Sequence, residues 1–184
     1  LTYLDLINRL TDLEQLAVLP AEGEKCQQFS SYDRASKVEG GRFVNWEANG
    51  DGTGIIRTEG DRQVFAEMEG PGVIWRIWSA MPQEGHVKFY LDGKETPAID
   101  LPFIGLFDGK HEPFTRSALV HMAARGQNCY VPIPFQRSCR IVAEPKWGRY
   151  FQFTYSTFPE GTKVPTFSMD LSEEEKQALD EANE

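Results

Sequence analysis

Residues 69–78 read Glu69-Gly70-Pro71-Gly72-Val73-Ile74-Trp75-Arg76-Ile77-Trp78. Gly-Pro-Gly is turn chemistry, because glycine reaches positive φ freely and proline pre-sets the φ a turn needs. The β-branched and aromatic run behind it has the composition of a strand. Strand side chains alternate faces, so regular pleating predicts Val73, Trp75 and Ile77 on an apolar core face. Ile74, Arg76 and Trp78 then share the other face. A guanidinium between an isoleucine and an indole has two readings. It is a sheet-covering arginine whose stem lies along Trp78 while its head reaches water or a carboxylate. Otherwise it is part of a ligand site, in which indole and guanidinium offer a flat apolar surface and a fork of donors to a sugar.

Composition narrows the class. The 184 residues suffice for one domain with a proper core, and 40% hydrophobic with 12% aromatic residues excludes a disordered chain. A net charge of −9 argues against a nucleic-acid or anionic-membrane surface. No apolar run reaches membrane-spanning length, and no signal peptide stands at the start. Starting at Leu1 rather than Met leaves a removed leader open. Cys26, Cys129 and Cys139 form no CxxC pair and do not cluster with the three histidines, so no metal or cofactor is expected. Cys129 and Cys139 read as buried structural thiols, with a bridge between neighbouring strands as the alternative.

Along the chain, the apolar spacing of residues 1–20 predicts a helical arm of two short helices meeting near Thr11, with a Thr11–Glu14 capping box and Pro20 as the stop. Phe29-Ser30-Ser31-Tyr32-Asp33-Arg34 reads as an ordered polar and aromatic loop. A strand is expected over 42–47, carrying Trp46. Asn49-Gly50-Asp51-Gly52 is turn chemistry, too short of acidic residues for a calcium loop. Strands follow over 55–58, 63–68 and 73–78, then over 86–91, where Val87, Phe89 and Leu91 alternate with polar residues, and over 98–101. Residues 102–128 read as one long functional or interfacial connection, in which His111 and His121 take structural or solvent-facing roles. Alternate prolines in Cys129-Tyr130-Val131-Pro132-Ile133-Pro134-Phe135 predict an edge strand or bulged rim. Strands over 138–143 and 149–158 complete about nine in all, without interleaved helices, the signature of a sandwich or jelly roll. Ser172 caps a final helix.

No GxSxG elbow, HExxH motif or phosphate loop is present. Glu67 and Glu69 share one strand face. A solvated strand edge explains that pair more simply than glycoside chemistry does.

The Phe29–Arg34 block, Ala66-Glu67-Met68-Glu69-Gly70-Pro71-Gly72-Val73-Ile74-Trp75-Arg76-Ile77-Trp78, Tyr90-Leu91-Asp92-Gly93, Leu106-Phe107-Asp108-Gly109 and the Cys129–Phe135 block stand in this order. Together they resemble glycoside hydrolase family 172, bacterial α-D-fructofuranosidases and difructose-dianhydride synthases. The resemblance spans nearly the whole chain. It implies an all-β fold, the first half of a double jelly roll, with a helical arm at 1–20, the jelly roll at 21–167 and a connecting helix beginning at 168–184. The second jelly roll, which carries the catalytic glutamates, then lies outside this chain. The resemblance further implies a retaining mechanism, a trimer or multiple of trimers, and a carbohydrate partner. Tyr32, Asp33, Arg34, Trp46, Arg76 and Trp78 would shape a sugar subsite, Asp33 and Arg34 bonding hydroxyls while Trp46 or Trp78 stacks. A glycan-degrading enzyme of this kind suits the periplasm or export.

Overall fold

The computed structural model describes residues 1–184. In chain order the strands are β1 (Lys25–Ser30), β2 (Lys37–Glu39), β3 (Arg42–Val44), β4 (Arg57–Glu59), β5 (Arg62–Glu69), β6 (Gly72–Ser79), β7 (Met81–Pro82), β8 (His86–Leu91), β9 (Ile99–Pro102), β10 (Val120–Ala123), β11 (Gly126–Cys129), β12 (Ile133–Phe135), β13 (Ser138–Ala143), β14 (Gly148–Arg149) and β15 (Gln152–Thr157). Helices α1 (Tyr3–Asn8) and α2 (Glu173–Ala182) flank them. The chain is all-β, and neither helix is long and apolar enough to cross a membrane.

Two antiparallel sheets make a β-sandwich. The first runs β1-β15-β6-β11-β10, with β12 paired to β6 in line with β11, and the second runs β4-β5-β13-β8-β9. Between them lies an aromatic core. Phe65 of the second sheet stacks on Phe151 at 4.1 Å and meets Trp147 edge-on at 4.6 Å, while Phe89 meets Phe153 edge-on at 6.0 Å. Such offset and edge-on pairs suit the quadrupole of the rings. Strand β8 alternates as its sequence predicts, with Val87, Phe89 and Leu91 buried.

Several elements depart from the sequence reading. The second N-terminal element is a 3₁₀ turn, Leu13–Ala17, capped by the Asp12 carboxylate rather than by Thr11. The capping box stands instead at Thr2 and Asp5, at the start of α1. Residues 102–128 are not one open connection. They hold a 3₁₀ turn at Phe103–Leu106 and the β10–β11 hairpin, turned through Ala124 and Arg125 at φ 49° and 67°. Trp46 follows β3 rather than lying in it. Of the alternate prolines, Pro132 falls in the break between β11 and β12, while Pro134 lies within β12, whose ladder partner is β6.

Most consequential is a bulge in β6. Arg76 pairs with Thr154 and Ile74 with Tyr155, leaving Trp75 without an opposite number on β15. The extra residue reverses the pleat. Ile74 and Ile77 are therefore both fully buried, while Trp75 and Arg76 are half-buried. Trp75 is not in the core. Its indole donates to Ser156 Oγ at 3.0 Å and lines a cleft of about 440 Å³ with Arg9, Leu16, Leu19 and Pro20 of the arm.

At the other end of the chain, Ser172 and Glu175 form the capping box of α2, which packs back against α1. Buried Arg116 bonds Glu112 and Asp180, and Asn183 Oδ1 accepts from the Ala118 amide at 2.8 Å. The three cysteines are free, with Cys129 and Cys139 buried. Burial pushes the Cys129 thiol up to about 12, so neither redox nor nucleophilic chemistry is served by it.

Candidate functional site

Directly opposed residues on antiparallel strands share a face, so register traces two rows across the whole first sheet. Phe29, Phe153, Ile77, Cys129 and Val120 stand opposite one another from β1 to β10 and face the core. One residue along each strand, Ser30, Gln152, Trp78, Asn128 and His121 form the neighbouring row, on the outer face. This polar row has Trp78 at its centre.

Arg76 lies on the same outer face and is gripped on both sides of Trp78. Its Nε and Nη2 donate to Asn128 Oδ1 at 3.1 and 2.9 Å, and its Nη1 donates to Gln152 Oε1 at 3.3 Å. Asn128 is buried and donates its own Nδ2 to Gly126 O at 3.1 Å, which fixes its oxygen toward the arginine. The Trp78 indole lies close against Gly126 of β11. A Cβ on Gly126 would stand 2.2 Å from the indole Nε1, so only glycine leaves room for the ring. His121 closes the row, its Nδ1 2.9 Å from Ala118 O. That carbonyl only accepts, so in the neutral ring the proton sits on Nδ1 and Nε2 keeps its lone pair.

At the other end of the row stands the Tyr32–Arg34 loop. Arg34 donates Nη2 to Ser30 O at 2.9 Å, and its guanidinium lies 3.9 Å from the centre of the half-exposed Tyr32 ring, a cation–π contact. Its Nε is buried without a partner. Asp33 is committed locally. Its two carboxylate oxygens accept from the amides of Ala35 at 2.9 Å and Gly50 at 2.8 Å, and these bonds hold its carboxyl below the usual carboxylate range. Asp51 Oδ1 in turn accepts from the Asp33 amide at 2.7 Å. The turn Asn49–Gly52 thus staples the loop that presents Tyr32 and Arg34.

Trp46 is 77% exposed. Its neighbour Asn45 donates Nδ2 to Ala35 O at 3.2 Å, joining the β2–β3 hairpin to the same loop.

The structure therefore sets Arg76 and Trp78 together on the outer face of the first sheet, places Tyr32 and Arg34 in the loop that follows Ser30 at the end of the same row, gives Asp33 a bracing position, and sets Trp46 on an outlying hairpin. Gln152, Asn128 and Gly126 escape the sequence reading, which gave His121 a structural or solvent-facing role, because cross-strand register leaves no trace in local composition. The Trp75 bulge, which decides what Arg76 faces, is equally silent.

Glu67, by contrast, is spoken for. Arg57 clamps it with two hydrogen bonds of 2.6 and 2.7 Å, which holds its carboxyl below the usual range. It stays ionised at neutral pH and does not suit a proton donor. The largest cleft, about 660 Å³, lies over this second sheet, lined by Glu67, Glu69, Tyr90, Lys94 and Arg140 among others. Size does not make it the better site. Glu67 and Arg140 are partnered within the chain, and its one aromatic side chain is Tyr90.

A family profile described as the GH172 first beta-sandwich domain matches residues 22–175. No curated protein matches the chain.

Proposed function

The chain belongs to glycoside hydrolase family 172, and from that premise we propose that it is the N-terminal half of a retaining glycoside hydrolase acting on fructofuranosyl or related furanosyl linkages. Residues 1–20 form its arm, 21–167 its jelly roll, and 168–184 the start of a helix toward a second jelly roll that carries the catalytic glutamates. In a retaining mechanism two carboxyl groups about 5 Å apart attack the anomeric carbon and protonate the leaving oxygen. This half supplies the sugar subsite. Trp78 and Tyr32 offer flat faces to a ring, Arg34 and Arg76 donate to its hydroxyls, Asp33 positions the loop, and Trp46 adds an exposed stacking face on the outlying hairpin.

The observation that carries this reading is the grip on Arg76. Arginine has five N–H donors, three are engaged by Asn128 and Gln152, and two remain for a ligand beside Trp78. A merely sheet-covering arginine has no need of two amide side chains to aim it.

The Gly126→Ala chain tests the subsite, because the added methyl displaces the Trp78 indole while a strand accepts alanine. Methyl fructofuranoside titrated into the native chain is expected to shift the Trp78 indole resonance in NMR spectra. That response is lost in Gly126→Ala. An unchanged titration would remove Trp78 from the site.

A non-catalytic assembly role is the second reading, and one observation favours it. Val38, Phe43 and Trp46 on the β2–β3 hairpin and Leu13, Leu16, Val18 and Leu19 on the arm are all at least 60% exposed. Such surface suits contacts in a trimer or multiple of trimers. If Arg76→Ala lowers sugar affinity but leaves the mass by light scattering unchanged, assembly alone does not account for the face. If it breaks the oligomer and no sugar binds to the native chain, the subsite reading falls.

A further inference from the structure

Arg34 and Arg76 differ from the other partly buried cations of this chain in what satisfies them. Arg9 pairs with Glu24, Lys88 with Asp100 and Glu144, Arg116 with Glu112 and Asp180, Arg140 with Glu59 and Glu67, and Lys176 with Glu173. Neither Arg34 nor Arg76 has a carboxylate oxygen within 4.0 Å. Their partners are neutral, a backbone carbonyl in one case and two side-chain amides in the other.

Shortage of acid does not explain this, since the chain holds 28 Asp and Glu against 19 Lys and Arg. A half-buried guanidinium loses hydration, and an opposite charge is what normally compensates it. Here one such group, Arg34, stands in the loop at the end of the outer row, and the other, Arg76, on the outer face of the first sheet. The anchor of the first, Ser30, and the clamp of the second, Gln152, are directly opposed in the register. With strands about 4.8 Å apart, the row from Ser30 to Asn128 spans roughly 14 Å, the scale of a short oligosaccharide. Arg34 spends one of its five donors on Ser30 O, and Arg76 keeps two free. Paired N–H groups on a planar guanidinium match the two oxygens of a carboxylate, and the flat faces of Trp78 and Tyr32 match the C–H face of a sugar ring.

We infer that this face selects a carboxylate-bearing sugar, a uronate unit of an acidic glycan, over the neutral sugar of the same shape. The inference rests on the subsite reading and adds the ligand's charge to it. The net charge of −9 repels anions at range. At physiological salt, however, fields decay over about 8 Å, so recognition is a short-range matter of these two forks.

The test uses two methyl glycosides that differ only in one group, methyl β-glucuronide and methyl β-glucoside, with methyl fructofuranoside as a neutral furanose. Each is titrated into the 184-residue chain and followed through the Trp78 indole and Asn128 amide resonances. The glucuronide is expected to bind about tenfold tighter than the glucoside, the gain of one charge-assisted contact over a neutral one. Arg76→Gln abolishes that preference. Gln152→Glu abolishes it too, by placing a carboxylate of the chain itself on Arg76, and it keeps the inference testable should Arg76→Gln fail to fold.

Equal binding of both glycosides, or binding of the fructofuranoside alone, overturns the acid preference and leaves the subsite standing. Absence of any sugar binding overturns both. Self-association that Arg76→Gln abolishes, without sugar binding, also overturns the inference, because the missing carboxylate then comes from a second copy of the chain.

Discussion

The two outer faces of this sandwich are built from the same strand geometry and dispose of their charges in opposite ways. On the second sheet, Arg57, Glu59, Glu67 and Arg140 close a network in which each cation meets two carboxylates and each carboxylate two cations. Nearby, Lys88 joins Asp100 to Glu144, and His86 meets Asp100 at 2.6 Å. Both arginines and both glutamates of that network find their counter-charges within the chain. On the other side, Arg76 of the first sheet and Arg34 of the loop after β1 are held in place by neutral groups and no acid answers them. A closed network is a solvated surface. A braced but unanswered cation beside an exposed aromatic is a surface arranged for something else.

The sharpest way to break this comparison is to attack the register behind it. Gln152 and Phe153 are neighbours in sequence, yet the reading places one on the open face and the other in the core. Phe153→Ala is expected to cost about 3–5 kcal/mol of stability, the lost burial of a ring plus the cavity left behind. Gln152→Ala is expected to cost less than about 1.5 kcal/mol, the net worth of its contact with Arg76. Urea unfolding of both chains gives the two values. Comparable costs would mean that the row containing Trp78 is not the outer row.

How much of this was legible beforehand depends on the physical range of each signal. The strand of β8 shows in Val87, Phe89 and Leu91 because one face is buried and the other wet, an alternation that lies wholly within the segment. β13 at Ser138–Ala143 has the bounds the sequence predicts, and the cap of α2 shows because Ser172 and Glu175 are three residues apart. The β6 faces were misassigned at Ile74 and Trp75, because a bulge is set by the pairing with β15 and leaves no local mark. The same blindness hides Asn128 and Gln152, which lie 52 and 76 residues from Arg76 and become its partners only across strands. Tyr32, Arg34, Arg76 and Trp78 entered through the family resemblance and the chemistry of the residues, and the structure adds what aims them.

A smaller effect is expected at Asp92, which shows how the chain treats an acid it does bury. Burial pushes its carboxyl up, but the Thr166 hydroxyl and the amides of Arg137, Ser138 and Gln136 outweigh this, and the group sits below its ordinary value of 3.8. Asp92→Asn is expected to cost about 1–3 kcal/mol at neutral pH, the penalty for weakening a buried hydrogen-bonded acceptor. Because the folded value is depressed, the carboxylate's contribution is fully present above its unfolded value and is lost as pH falls through the folded one. The stability gap between native and Asp92→Asn chains therefore narrows below about pH 4. Denaturant midpoints at pH 7, 4 and 3 measure it, and a gap that widens in acid would contradict the hydrogen-bond account.

The smallest effect is expected on the second sheet. Glu67 accepts both donors of an Arg57 fork, the bidentate geometry in which ion pairs are strongest, and both side chains are more than 40% exposed. Water and salt screen such a pair, and Arg140 stands close enough to Glu67, at 3.5 Å, to be relieved of one acid without losing Glu59. Glu67→Gln is therefore expected to change stability by less than about 1 kcal/mol. It should leave every sugar titration unaltered, although Glu67 lines the largest cleft of the molecule. If Glu67→Gln instead reduces sugar binding as Arg76→Gln does, ligand is being held where the charges are already paired. Unanswered charge would then be the wrong mark by which to tell one face from the other.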